Sequence, residues 1–122
     1  MKSFAIALGV TVASTVAAAD VQAKTRRAGP SGPAVTIGSL DTKMAQDDCM
    51  ALGTKIMRSS GLTQNFEVVG KTVYGETEDY TGAIRCDAPH GIVVFFVAGP
   101  LSKRTESIHQ KLKDAFGSSQ PN

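Results

Sequence analysis

Hydrophobic positions change their spacing four times along the chain, and each change marks a different element. Residues Phe4 to Val16 form an almost unbroken apolar run behind Lys2. From Ala45 the apolar positions Ala45, Cys49, Leu52 and Ile56 recur at three- and four-residue intervals, the spacing of one helix face. Ser39 and Asp41 offer N-caps for this helix, and Gly61 offers its end. From Leu62 the chain breaks into short β-rich pieces, NFEVVG, KTVYG, YTGAIRC and GIVVFFVAG. After Pro100 the helical spacing returns at Leu101, Thr105, Ile108, Leu112 and Ala115/Phe116, with Ser102 as the expected cap and Gly117 as the expected stop.

The connections between the β pieces are short. Glu76-Thr77-Glu78-Asp79 joins the second to the third, and Asp87-Ala88-Pro89-His90-Gly91 joins the third to the fourth. Short links favour antiparallel neighbours. In YTGAIRC, alternation places Tyr80, Gly82, Ile84 and Cys86 on one face and Thr81, Ala83 and Arg85 on the other, with the Ile84 face inward. The expected fold is therefore α+β: a two-layer sandwich of a helix, a three- or four-stranded antiparallel meander, and a C-terminal helix.

The opening run reads as a secretory signal peptide, residues 1–23, because it is positive, then apolar, then small. Cleavage is expected after Ala19 or Ala23, with Ala23 favoured for the polar stretch before it. The run is shorter than the roughly 20 residues that a membrane span requires, so no span is expected once the signal is removed. Residues 24–38 read as a flexible leader: AGPSGP, Ala28 to Pro33, cannot settle into a helix or a sheet interior, although AVTI, Ala34 to Ile37, has the character of a short edge strand. Residues 39–117 make a single α+β domain, and 118–122 a disordered tail. Export, to the periplasm or outside the cell, is the expected localisation.

Charge narrows the function classes. The formal net charge is +2, but Lys24, Arg26 and Arg27 lie in the leader, and from Ala28 onward nine Lys/Arg meet ten Asp/Glu. A nucleic-acid binder would carry a basic face on its folded part, so nucleic acid is not an expected partner.

The two cysteines, Cys49 and Cys86, fall on the buried stripe of the first helix and the inward face of a strand. An exported chain with an even count favours a disulfide between them, which the chain-entropy view values at roughly 4 kcal/mol for a loop of this length. A metal site from Cys49, Cys86 and His90 lacks a fourth ligand and the close spacing of such sites. His90, between Pro89 and Gly91, reads as an exposed turn residue, and His109 as half exposed at the edge of the second helix's stripe. Gly70-Lys71-Thr72 imitates the end of a phosphate-binding loop, but residue 65 is Asn where that loop needs glycine, and strand follows. Glu76, Glu78 and Asp79 read as a solvated turn. No catalytic residue, cofactor site or metal site is expected. A small periplasmic enzyme would need Tyr74, Tyr80, Arg85 or His90 to converge in space.

IVVFFVA, Ile92 to Ala98, is apolar on both faces, whereas a sheet covered by helices on one side needs only one apolar face. Either the leader, AVTI or the second helix wraps the other face, or that face is a contact surface. The candidate surface is Val93, Phe95 and Val97 with Ala83 and Arg85, for a protein partner or a homodimer.

The helix cysteine, YTGAIRC and VVFFVAGP together resemble a group of small exported bacterial proteins of no assigned function. These carry one disulfide, an aromatic-x-small-x-Ile-x-Cys strand, a hydrophobic strand ending Ala-Gly-Pro, and a C-terminal helix. The resemblance runs from about Asp48 to Phe116 and implies fold and disulfide, with no catalytic residues. The expected role is a non-catalytic binding or envelope-accessory module, with an inhibitor or subunit that docks its sheet face on another exported protein as the alternative.

Overall fold

A computed structural model describes residues 33–121. The expected signal peptide, its cleavage sites and the leader up to residue 32 lie outside the described residues. The element order is β1 (Ala34–Asp41), α1 (Gln46–Ser59), β2 (Gln64–Val69), β3 (Thr72–Thr77), β4 (Tyr80–Asp87), a 3-10 turn (Ala88–His90), β5 (Ile92–Gly99) and α2 (Ser102–Ser119). All strands belong to one antiparallel sheet in the order β1-β5-β4-β3-β2. The meander expected from the short links is present with four strands, and both helices pack on one side of it. The α+β reading thus holds, with a fifth strand added at the β5 edge.

That fifth strand corrects the N-terminal reading. AVTI continues through Gly38-Ser39-Leu40-Asp41, and all eight residues of β1 pair with β5, from Ala34 opposite Gly99 to Asp41 opposite Ile92. Ser39 and Asp41 are therefore exposed strand residues, not helix caps. Helix α1 begins instead at Gln46, without a side-chain cap. Asp47 and Asp48 in its first turn favour the positive end of the helix dipole. Gln46 clamps this turn to the end of β4, its Nε2 donating to the Cys86 carbonyl at 2.9 Å and its Oε1 accepting from the Ala88 amide at 2.9 Å.

The end of α1 follows the glycine signal. Gly61 takes φ 86°, its amide donates to Arg58 O at 3.1 Å, and the Leu62 amide donates to Met57 O at 3.0 Å. These paired bonds close the last carbonyls of the helix and turn Leu62 into the core, where it is fully buried. Gly75 on β3 is required for this turn, because a Cβ there would collide with the Leu62 carbonyl.

The buried stripe of α1 is Cys49, Gly53, Ile56 and Met57; Ala45 lies exposed and Leu52 half-buried. On α2 the buried residues are Thr105, Ile108, His109, Leu112 and Phe116, while Leu101 is 63% exposed ahead of the helix. Ser102 is the first residue of α2, not its cap, and the helix passes Gly117 to reach Ser119, two residues into the stretch expected as a tail. Between the helices and the sheet lies one core, built on Phe95, Phe116, Met57, Leu62 and Ile84.

Candidate functional site

Cys49 on α1 and Cys86 on β4 form a disulfide, with their Cα atoms 6.0 Å apart and a sequence separation of 37. Both are fully buried. Their sulfurs are bonded to each other, so neither is a thiolate that could ligate metal or attack a substrate. Among the described residues, no group of three His, Cys, Asp or Glu side chains is placed to hold a metal ion. No described helix is long and apolar enough to cross a membrane.

His90 lies exposed on the 3-10 turn, and its Nδ1 hydrogen-bonds Asp87 Oδ2 at 3.0 Å. That bond, with some help from the nearby positive charges of Lys71 and Arg85, holds the Asp87 carboxyl below its ordinary value. His109 departs from its reading as half exposed. It is only 6% exposed, packed edge-on to Phe95 with ring centroids 6.4 Å apart and seated against Gly38 of β1. The missing side chain at Gly38 makes the room, since a Cβ there would lie 2.7 Å from the ring. Burial, and then the Lys113 ammonium, hold this imidazole below its ordinary value, a backbone hydrogen bond at Phe95 acting in the opposite sense. Among the described residues, its Nε2 has no hydrogen-bond partner.

Of the four residues that an enzymatic reading needed together, only Tyr74 and Arg85 share a site. Tyr80 is buried on the helix side, its ring against Gly99 and the Arg104 guanidinium 5.9 Å from its centroid. Tyr74 and Arg85 lie on the opposite side of the sheet, and His90 lies in the turn beyond β4. The acidic turn is tied to its neighbours: Glu76 accepts from Asn65 at 2.9 Å, and Glu78 pairs with Arg104 at 3.8 Å.

Register decides which half of β5 faces outward. Ile84 pairs with Phe95 and Cys86 with Val93, and directly paired residues share a face. Val93, Phe95 and Val97 are therefore fully buried under the helices. This corrects the candidate surface: those three residues belong to the core, and only Ala83 and Arg85 of the expected set lie on the other side. The open half of β5 is Ile92, Val94, Phe96 and Ala98. The hairpin link carried the signal, because Asp87 and Ile92 close it as a pair and an outward Asp87 sends Ile92 outward with it.

Across the sheet, the open face reads as aligned rows. One row runs Ile37, Phe96, Ala83, Tyr74 and Glu67, and the next runs Ser39, Val94, Arg85, Thr72 and Val69. No described helix or loop covers the β1 end, where Ile37 is 64% and Val35 55% exposed. At the centre, small Ala83 sits between Phe96 and Tyr74 and forms the floor of a hollow of about 300 Å³, with Arg85 and Val94 on its rim. A second hollow of about 380 Å³ adjoins it at the β2–β3 irregularity, near Glu67 and Glu76, and is the more acidic of the two. Arg85 has no ion-pair partner among the described residues, whereas Asp87 engages Lys71 at 3.8 Å and His90.

The chain matches no known protein-family model and no curated protein.

Proposed function

We propose that this chain is a non-catalytic binding module of an oxidising compartment, reached by export, and that it acts by docking another protein surface on the open face of its sheet. The observation that carries the reading is the exposure of Ile37 and Val35 beside Phe96, Val94 and Ala98, an apolar area that spans the neighbouring strands β1 and β5. A lone exposed aliphatic residue is ordinary on any protein, but a contiguous apolar area is characteristic of contact surfaces. The buried disulfide supports the compartment, since such bonds persist where thiols are not kept reduced.

Binding of an apolar dye to the exported chain tests the reading. A signal from the wild-type chain that falls in Ile37→Arg, with Cys49 and Cys86 still resistant to alkylation in the folded state, supports an exposed docking face. A wild-type chain that sediments as a monomer and binds no dye, together with no change in Ile37→Arg, overturns it.

A further inference from the structure

The two edges of the sheet are built differently. Strand β2 is short, loses register between Gln64 and Glu67, turns Asn65 to φ 49° and carries the charge of Glu67, all of which discourage a further strand. Strand β1 has none of these features. Its eight residues pair with β5 without a bulge, it contains no proline or lysine, and its one charge, Asp41, stands at the end. Among the described residues no strand lies on its outer side, where Val35 and Ile37 are exposed. A regular edge left open in this way is a template for another extended chain. We propose that β1 receives an extended segment of a partner protein as an added antiparallel strand, and that this segment carries an acidic residue opposite Gly38, with aliphatic residues one and three positions after it. The proposal rests on the docking reading and names what the partner brings.

The pattern follows from the side on which each residue of β1 lies, because paired residues of antiparallel strands share a face. Gly38 is opposite Phe95, on the helix side, whereas Ile37 and Val35 are opposite Phe96 and Ala98, on the open side. Helix α2 runs beneath β1. The hydroxyls of Thr36 and Thr105 hydrogen-bond at 3.3 Å, His109 seats against Gly38, and Gln120 Nε2 donates to the Asp41 carbonyl at 3.2 Å. Lys113, one turn after His109, brings its Nζ within 3.8 Å of where a Cβ on Gly38 would stand. It is half-buried and has no ion-pair partner among the described residues. The Cβ atoms of directly paired residues lie about 5 Å apart, so a carboxylate opposite Gly38 reaches this ammonium. The residues that pair with Ile37 and Val35 fall on the open side, where aliphatic side chains cover both.

Charge favours a different protein over the chain itself. Were β1 of a second copy to continue the sheet with its helices on the same side, only Ala34, Thr36, Gly38 or Leu40 would stand opposite Gly38, and none is acidic. The two Lys113 ammoniums would also approach one seam. The chain's own residues 24–32 hold Lys24, Arg26 and Arg27 and no acidic residue. Both occupants set like charges together at the edge, whereas an acidic segment sets opposite ones together. Backbone bonds along β1 supply the affinity, and the Lys113 pair with the two aliphatic contacts supplies the choice of sequence.

A capped heptapeptide, Thr-Thr-Glu-Val-Thr-Val-Ser, titrated to millimolar concentration into the exported chain and followed by amide NMR shifts and hydrogen exchange, tests the proposal. The same peptide with lysine in place of glutamate is the control. The expected result is shifts centred on β1, exchange of its outward amides slowed at least ~10-fold at saturation, and binding at least ~5-fold weaker for the lysine peptide. In Lys113→Glu the preference of the two peptides should reverse. Equal binding of both peptides by the wild-type chain overturns the acidic partner, and with it the proposal. No shift in β1, or binding that adds no amide protection along β1, overturns strand addition; dye binding that Ile37→Arg abolishes would then leave the docking reading standing with a partner held by side chains alone. A monomer that binds neither peptide nor dye overturns both.

Discussion

Phe95 and Phe96 are neighbours in the chain and point to opposite sides of the same strand. Phe95 is fully buried, edge-on to Phe116 with centroids 5.5 Å apart and to His109 at 6.4 Å. Phe96 has no described helix above it and packs sideways on Ala83, at the edge of an open hollow. The first side is tied together by the disulfide, by α1 and α2 and by the Leu62 turn; on the second no described helix adds to strand pairing. The difference teaches that the apolar character of β5 serves two purposes, with stability on one side and contact on the other.

The sharpest way to break that comparison is to remove each ring in turn. Phe95→Ala should cost about 3–5 kcal/mol of unfolding free energy, the range for a buried phenylalanine, while Phe96→Ala should cost less than about 1 kcal/mol in the monomer, both read from chemical denaturation. Equal losses at the two positions would show that the open face is covered after all. Next in size is the staple on the covered side. Cys49→Ala combined with Cys86→Ala should lower stability by about 2–4 kcal/mol, with a matching fall in the thermal midpoint, because the unfolded chain regains the freedom of a long loop.

A smaller effect is expected where β1 meets α2. Gly38→Ala would drive a methyl group into the His109 ring, which must shift together with the helix, at about 1–3 kcal/mol. The disturbance belongs to the covered side, so the equivalent change on the open side, Ser39→Ala, should be near neutral in the same denaturation series.

The smallest and most selective effect is pH dependence. The folded-state value of His109 is depressed, so the unfolded chain binds the proton more readily. The contribution to stability is complete above the ordinary histidine value of 6.5 and is lost as pH falls through the lower folded value. Asp87 behaves with the same sign in a lower window: its carboxyl is also depressed, and its contribution, present above the ordinary value of 3.8, disappears on further acidification. Denaturant midpoints measured from pH 8 downward should therefore decline in two stages. His109→Gln should flatten the first stage and leave the second; an unchanged first stage would exclude His109 as its source.

Much of this architecture is legible in local pattern. The strand pieces from Leu62 onward, the inward face of Ile84 and Cys86, the glycine that ends α1 and the apolar stripe of α2 all follow from spacing that each segment carries within itself. The cysteine pair is legible for the same reason, since each partner sits on the buried face of its own element. The errors fall where a distant partner overrides a local preference. Ser39 and Asp41 are good helix caps in isolation, but pairing of eight residues with β5 holds them in a strand. His109 reads as an edge residue on its helix, and only the absence of a side chain at Gly38, far away in sequence, allows it to be buried.

The same division applies to the candidate site. Sequence alone determined that β5 has one apolar face more than a two-layer fold consumes, because alternation and composition are written into Ile92 to Ala98. Alternation within β5 could not determine which face is the surplus, since a shift of one residue in register exchanges the two, and the hairpin link decides it only once Asp87 is known to pair with Ile92. Only the tertiary structure decided that, by pairing Ile84 with Phe95 and packing both helices over the pair, so that Phe96, Val94 and Ile37 are left facing outward.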